Sequence, residues 1–307
     1  MKVFLLGAGA SRGSLSNLCI PVADKFGQGL AEVCPGWKHE YPALLRVVEH
    51  LHLHLDSWPL EPVWSCIDWY AKLQPALPLP KPWENESRQI KKALLAVYGT
   101  RCDDAANQVR DDSTLAQLFQ NEVQKGDVLI SFNYDTIAER IAQRYGRQLS
   151  STPRGTDDVV FAKPHGSTSW TLDLCSKTVA WLSPDGSPLL PSLSATDVDC
   201  GREPLLLGTV PIKSELIREV QERCGTVGVF DAISTQWRTV VEAIRDADTL
   251  VVVGYSFPVE DRYGRFLVQE GLRLRTRDLR IEFFEVEDMA ANRAREIFDA
   301  YSTRFGH

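Results

Sequence analysis

The stretch KVFLLGAGAS, from Lys2 to Ser11, decides the fold class of this 307-residue chain. Its first half is short, apolar and contains β-preferring residues, which predicts a buried strand over Lys2–Leu6. Glycines follow at Gly7 and Gly9, where the missing side chains allow a tight strand-to-helix turn. A glycine turn directly after a buried strand is typical of the first unit of an open parallel sheet.

Outward from this stretch, predicted strands alternate with predicted helices. We predict strands at 127–132, 159–162, 249–254 and 280–286, and helices at 135–145, 230–246, 263–275 and 288–301. The alternation indicates an α/β fold, a Rossmann-like doubly wound parallel sheet with helices on both faces. The turn-rich stretch 167–228 contains short β segments near 179–182 and 205–207 in this interpretation.

A helical pattern without strands interrupts this order. Residues 35–124 show helical periodicity, broken by a proline-rich joint at 75–82, because proline lacks the amide donor that a helix needs. We interpret them as a helical insertion or lid subdomain. Residues 1–34 and 125–307 then form the Rossmann-like domain.

Composition argues against several classes of partner. With 41 acidic and 34 basic residues the net charge is −7, which disfavours coating of DNA or of an anionic membrane, so we expect nucleic acid to act only indirectly. No apolar run is long enough to span a bilayer, and we expect a cytoplasmic protein. The seven cysteines are widely spaced without a C-x-x-C pair, so we expect neither a disulfide framework nor a zinc or other metal site.

The glycine turn is the first candidate binding motif. The backbone at Gly7, Ala8 and Gly9, together with Ser11, offers donors to a phosphate at the start of a helix. The motif is not a full G-x-G-x-x-G pattern, since position 12 is Arg12. A turn with no ligand explains it equally well.

Two further motifs follow the next strands of the predicted sheet. Asn133 and Asp135 come after the strand at 127–132, and His165 follows the strand at 159–162. Ligands of open α/β sheets lie at the carboxyl edge, and histidine is suited to general-base chemistry near neutral pH. Helix capping by Asp135 and a structural role for His165 remain open alternatives.

The last third of the chain contributes three more candidates. Gly254 permits close backbone approach after the strand at 249–254, and Ser256 can hydrogen-bond a ribose or a phosphate. Glu285, at the end of the last strand, can accept hydrogen bonds from ribose hydroxyls. A simple turn and a surface glutamate are the alternatives here.

Taken together, the stretches 6–11, 128–136, 163–170 and 252–258 resemble the sirtuin-like (silent information regulator) family, in its bacterial antiphage-defence branch. The resemblance implies that NAD is bound as a substrate. Asn133 then positions water or ribose at the reacting carbon, and His165 acts as a base on the ribose hydroxyls. The implied binding residues are Gly7, Ala8, Gly9 and Ser11 for the phosphates, Asp135 for the nicotinamide amide, Gly254 and Ser256 for the adenosine side, and Glu285 for a ribose.

One departure from the family pattern directs the choice of reaction. Sirtuin deacetylases carry a four-cysteine zinc module between the histidine motif and the glycine-serine loop, whereas this interval holds only Cys175, Cys200 and Cys224. A closed zinc site needs four ligands. The resemblance therefore implies an NAD+ glycohydrolase (NADase), which releases nicotinamide and ADP-ribose and depletes NAD in antiviral defence.

Two other functions remain open from the sequence. One is an NAD-dependent transferase of ADP-ribosyl groups, or a deacylase. The other is a non-catalytic sensor of NAD or another nucleotide. For the hydrolase, the resemblance implies control by homo-oligomer formation, by a separate partner subunit of ATPase or nuclease type, or by both.

Overall fold

The computed structural model describes residues 1–14, 25–73, 84–100, 102, 109–151, 158–173, 175, 178–180, 193–207, 228–259, 261–284 and 288–302. Its strands are β1 (Lys2–Leu6), β2 (Val128–Ser131), β3 (Leu149–Ser150), β4 (Val159–Ala162), β5 (Gly166–Asp173), β6 (Thr178–Ala180), β7 (Arg202–Leu206), β8 (Thr249–Val253) and β9 (Arg280–Phe284). Its α-helices are α1 (Ala8–Ser14), α2 (Phe26–Val33), α3 (Trp37–Glu40), α4 (Pro42–His50), α5 (Leu60–Leu73), α6 (Glu84–Leu94), α7 (Thr114–Gln117), α8 (Ile137–Arg144), α9 (Ala195–Asp199), α10 (Gly228–Asp246), α11 (Arg262–Arg273) and α12 (Asp288–Ser302). Two π-helical segments, Leu95–Thr100 and Leu118–Glu122, continue α6 and α7.

The main sheet has six parallel strands in the order β3-β4-β2-β1-β8-β9. From the central β1 the chain first builds one side of the sheet with β2, β3 and β4. It then returns to the other side of β1 and adds β8 and β9. The strand order therefore reverses between β1 and β8, the place where open α/β sheets bind ligands. The predicted α/β fold class is confirmed.

Alternate side chains of β1 enter two separate hydrophobic cores. Phe4 and Leu6 belong to a core that includes residues of α2, α4, α5 and α8. Val3 and Leu5 belong to a second core, with residues of α10, α11 and α12. Since successive side chains of a strand point to opposite faces, helices cover both faces of the sheet.

A small antiparallel sheet in the order β6-β5-β7 lies beside the turn that follows β4. It begins at Gly166, which has a φ of +82° and whose missing Cβ would lie 2.1 Å from the Leu205 carbonyl oxygen. The sequence predicted short β segments near 179–182 and 205–207 but not the eight-residue strand β5. The Leu207 amide donates to the His165 carbonyl oxygen at 2.8 Å, so this sheet supports the backbone at His165.

The segment 35–124 carries α3 to α7 and the two π-helical segments in its described part. Ion pairs of α6 with β7 and α9, Lys91 with Glu203 and Lys92 with Asp199, tie it to the small sheet region. The proline joint at 75–82 lies outside the described residues, and the division into insertion and Rossmann-like domain stays a prediction. None of the described helices is both long and apolar enough to cross a membrane.

Candidate functional site

Four adjacent strands of the sheet, β4, β2, β1 and β8, end at the same edge, and each is followed by one of the predicted motifs. The turn from Gly7 to Ser11 follows β1, and the loop from Gly254 follows β8. Asn133 follows β2, and His165 follows β4. Because the strands are parallel, their carboxyl ends bring these four motifs together.

The glycine turn after β1 packs closely against the end of β8. The amides of Gly7 and Gly9 donate at 3.0 Å to the carbonyl oxygens of Val253 and Gly254. A Cβ on Gly7 would lie 2.4 Å from Tyr255 Cα, and one on Gly9 would lie 2.8 Å from Gly254 Cα. These glycines serve backbone packing, and their amides already have protein partners. A phosphate at this turn would need other donors.

The loop after β8 contains Gly254 with a φ of +58°, and a Cβ on it would lie 2.2 Å from the Ala10 amide nitrogen. Only glycine fits this conformation and this contact. Ser256 is half-buried, and its carbonyl oxygen accepts a hydrogen bond from Arg293 Nε at 3.1 Å. The remaining candidate of this region, Glu285, lies outside the described residues.

Asn133, Ser11 and Asp135 form one buried hydrogen-bonded network. Asn133 Nδ2 donates to the Gly7 carbonyl oxygen at 2.8 Å and to Ser11 Oγ at 2.9 Å. Ser11 Oγ donates to Asp135 Oδ1 at 3.1 Å, and the Ile137 amide donates to the same oxygen at 3.0 Å. The network ties the ends of β1 and β2 together, and Asp135 accepts the amide of Ile137, the first residue of α8. Asn133 Oδ1 accepts no hydrogen bond from the described part of the chain.

A buried charge cluster lies on the α8 side of the same turn. Lys163 is 1% exposed, and its Nζ donates to Glu139 Oε1 at 2.9 Å, to Ser167 Oγ at 3.1 Å and to the Asp135 carbonyl oxygen. Burial raises the pKa of the Glu139 and Asp135 carboxyls, against the opposing charge of Lys163. All three protons of the Lys163 ammonium group therefore have acceptors within the protein, which indicates a structural role for Lys163.

His165 has a buried acidic partner that the sequence analysis did not identify. His165 Nε2 lies 2.7 Å from Asp261 Oδ2, and both residues are 2% exposed. Tyr255 donates its hydroxyl to the same oxygen at 2.8 Å, and burial raises the pKa of Tyr255 well above its usual value. Asp261 follows the Gly254 loop and precedes α11, so a carboxylate near that loop was the available signal.

The surroundings of Asn133 and His165 meet. Phe132 and Tyr134, which flank Asn133, contact the His165 imidazole with ring-centroid distances of 5.4 Å and 6.4 Å. Phe132 also stacks on Tyr255 at 4.3 Å, with an angle of 7° between the rings. The two residues that flank Asn133 in sequence therefore pack against the His165 ring, and a buried amide and a buried imidazole follow the neighbouring strands β2 and β4. Such a pair can orient a water molecule and accept a proton.

Within the described ranges, no group of three or more histidine, cysteine, aspartate or glutamate side chains is placed to hold a metal ion. Cys175 and Cys200 lie close together, with Cys175 Sγ 3.9 Å from the Cys200 carbonyl oxygen. Cys224 lies outside the described residues. The described polar groups around this site are amides, hydroxyls, carboxylates, one ammonium group and one imidazole.

No protein-family model and no curated protein matches this sequence. Among solved structures, the chain is similar to a histidine-to-asparagine mutant of a Sir2 homologue in complex with ADP-ribose. The two share 16% sequence identity, the match covers 99% of this chain and 92% of the other, and the TM-score is 0.30. At this degree of similarity the fold class rests on the strand order and direction described above.

Proposed function

We propose that this chain is an NAD+ glycohydrolase, with Asn133 and His165 as its catalytic residues. The observation that carries the proposal is the packing of Phe132 and Tyr134, the two residues that flank Asn133 in sequence, against the His165 ring. The strands that precede Asn133 and His165, β2 and β4, end at the same carboxyl edge as β1 and β8, between which the strand order reverses. The carboxyl edge at such a reversal is where a dinucleotide binds in open α/β sheets.

The proposed reaction is the hydrolysis of the bond between nicotinamide and ribose. The C–N bond breaks with its electron pair going to the pyridine nitrogen, which releases neutral nicotinamide. A water oxygen forms the new bond to the ribose carbon and loses one proton, giving ADP-ribose. Because the nicotinamide of NAD carries a positive charge, it leaves without a strong nucleophile, so the protein mainly needs to position the ribose and one water molecule.

Asn133 is suited to hold that water molecule. Its Nδ2 is fixed by Gly7 and Ser11, which fixes the direction of the whole amide. Its Oδ1 is left as an acceptor toward which a water can donate. In this assignment Ser11 and Asp135 orient Asn133, and Asp135 remains the proposed partner of the nicotinamide amide.

His165 accepts the proton of the water or of a ribose hydroxyl in this proposal. The residue is 2% exposed in this structure, so the substrate reaches its ring only when neighbouring groups move. A buried base supports the idea of an activity that is switched on. We therefore propose an NAD-depleting effector of antiphage defence, controlled by homo-oligomer formation or by an ATPase or nuclease subunit. The proposal of this biological role rests on the resemblance of its sequence motifs to the sirtuin-like family.

The test is the release of nicotinamide and ADP-ribose from NAD, measured by chromatography with the purified chain. We expect His165→Ala to lower turnover by about 10²–10⁴-fold, the usual effect of losing a general base. His39→Ala is the matched control, because His39 is exposed on α3 and lies outside the site. Wild-type turnover in His165→Ala would contradict the assignment.

Asn133→Ala is expected to abolish turnover as well, but it also affects folding. It removes two buried hydrogen bonds, which costs about 1–3 kcal/mol of unfolding free energy. Thermal unfolding of each variant is therefore measured beside turnover. NAD levels are also compared in cells that express the wild type or His165→Ala, with and without phage challenge. This experiment detects the activity even if the isolated chain is inactive.

A further inference from the structure

Asp261 sits at the centre of a buried cluster that touches the imidazole of His165. Its Oδ2 lies 2.7 Å from His165 Nε2 and accepts the Tyr255 hydroxyl at 2.8 Å. Its Oδ1 accepts the amide of Gly264 at 2.8 Å, which caps the start of α11. One carboxylate thus joins the histidine turn after β4 to the loop after β8 and to a helix.

Gly264, in the first turn of α11, leaves room for the Asp261 carboxylate and the Tyr255 hydroxyl because it has no side chain. A Cβ on Gly264 would lie 2.3 Å from Asp261 Oδ2 and 2.6 Å from the Tyr255 hydroxyl oxygen. Glycine within a helix lowers helix stability relative to alanine. Its presence here allows the carboxylate and the phenol to approach the first turn of α11. The geometry of the cluster therefore depends on Gly264. The contacts of Asp261 and Tyr255 offset the lower helix stability that this glycine causes.

The hydrogen-bond donors around Asp261 indicate which tautomer of His165 fits this cluster. The amide of Gly264 and the hydroxyl of Tyr255 both donate to Asp261, which fits an ionised carboxylate, and an ionised carboxylate only accepts hydrogen bonds. His165 must then donate from Nε2, since that nitrogen faces the carboxylate. In the neutral ring the lone pair is consequently on Nδ1.

We propose that Asp261 is the positioning residue of His165, which it holds in the Nε2–H tautomer so that Nδ1 is the atom that accepts a proton. The inference rests on the proposed function only in that the proton transfer is assigned to the hydrolysis of NAD. The tautomer itself does not depend on that reaction. Asp261 does not contact the reacting atoms in this assignment. It acts through the orientation and the tautomer of the ring, as the carboxylate of a catalytic triad does.

The experiment is the NMR measurement of the imidazole nitrogens of His165 in the full chain, with ¹⁵N-labelled histidine and His165→Gln for assignment. The wild type is expected to carry its proton on Nε2. In Asp261→Asn the amide oxygen keeps the contact with Gly264 and turns its NH₂ group toward His165, so the ring is expected to switch to the Nδ1–H tautomer. Turnover of NAD should fall by about 10²–10⁴-fold with little change in KM.

Asp261→Ser separates the role of residue 261 as the N-cap of α11 from its contact with His165. Serine is also a good N-cap for α11 but is too short to reach the ring, so a mixture of tautomers is expected. An Nδ1–H tautomer in the wild type, or an unchanged tautomer in both variants, would overturn the inference. The wild-type spectrum needs neither a folded variant nor enzymatic activity. If NAD is not cleaved at all, the proposed function fails while the tautomer still decides the role of Asp261.

Discussion

Lys163 and His165 lie two residues apart on the turn after β4, and each contacts a buried carboxylate. Lys163 binds Glu139 of α8 on one side, and His165 binds Asp261 at the start of α11 on the other. The ammonium group has three protons, and the structure gives it three acceptors, on Asp135, Glu139 and Ser167. That set is complete within the protein.

The His165 pair differs because an imidazole has two nitrogens that exchange roles. Asp261 occupies one of them and thereby defines which nitrogen accepts a proton. The same type of buried contact therefore has two consequences on one turn. At Lys163 we expect it to stabilise the fold, and at His165 we propose that it prepares a group for proton transfer. The predictions that follow test this division.

The largest effect on stability is expected from Lys163→Met. The change leaves the Glu139 carboxylate buried, with its Oε2 already unpartnered among the described residues. Loss of one member of a buried ion pair typically costs about 3–5 kcal/mol. Urea denaturation should show this loss in the free energy of unfolding, and a loss below about 1 kcal/mol would contradict the structural role of the pair.

The double variant Lys163→Met/Glu139→Leu is the control for this prediction. It replaces both charges with apolar side chains, and such replacement of a whole pair is often close to neutral. Most of the stability lost in Lys163→Met should return. Further destabilisation in the double variant would show that the charge balance is not the cause.

Tyr255→Phe should have an intermediate effect and sharpens the comparison on the His165 side. It removes one donor to the Asp261 carboxylate and leaves the aromatic stack on Phe132 in place. A hydrogen bond to a charged group contributes about 1.5–3 kcal/mol. We expect a loss of stability in this range and a smaller loss of turnover than in Asp261→Asn. Equal losses of turnover would show that Tyr255 itself participates in the chemistry.

The smallest effect is a pH dependence of stability. Burial raises the pKa of Asp135 above its ordinary 3.8 and that of Glu139 above its ordinary 4.5. The folded state then holds these protons more tightly than the unfolded state, so stability falls as the pH rises through this window toward the raised pKa values. Denaturation between about pH 4 and pH 8 measures the slope. The Glu139 part of the slope should disappear in Lys163→Met/Glu139→Leu, and a stability that rises over this window would contradict the assignment.

The fold was predictable because strands β1, β2, β4 and β8 are buried on both faces and read as continuous apolar runs. Strand β5 was not, because its sequence GSTSWTLD is polar and turn-like, and it is the pairing with β6 and β7 that makes it a strand. The close approach of Gly7 and Gly9 to the end of β8 was not predictable either, because it depends on tertiary packing. Their role in phosphate binding stays a prediction.

Asp261 was not identified in the sequence analysis, because its contact with His165 also depends on tertiary packing. A carboxylate just before a helix is normally interpreted as a cap, and Asp261 does cap α11. Its contact with His165 spans 96 positions of the chain and depends on β4 and β8 lying in one sheet. Local patterns cannot show such a pair, whereas the placement of Asn133 at a strand end was a local signal.

The most direct test of the central claim is a crystal structure of this chain with ADP-ribose bound. We expect the ribose that loses nicotinamide to lie between Asn133 Oδ1 and His165 Nδ1, with the diphosphate near the turn after β1. A well-ordered ADP-ribose that contacts neither side chain would contradict the account.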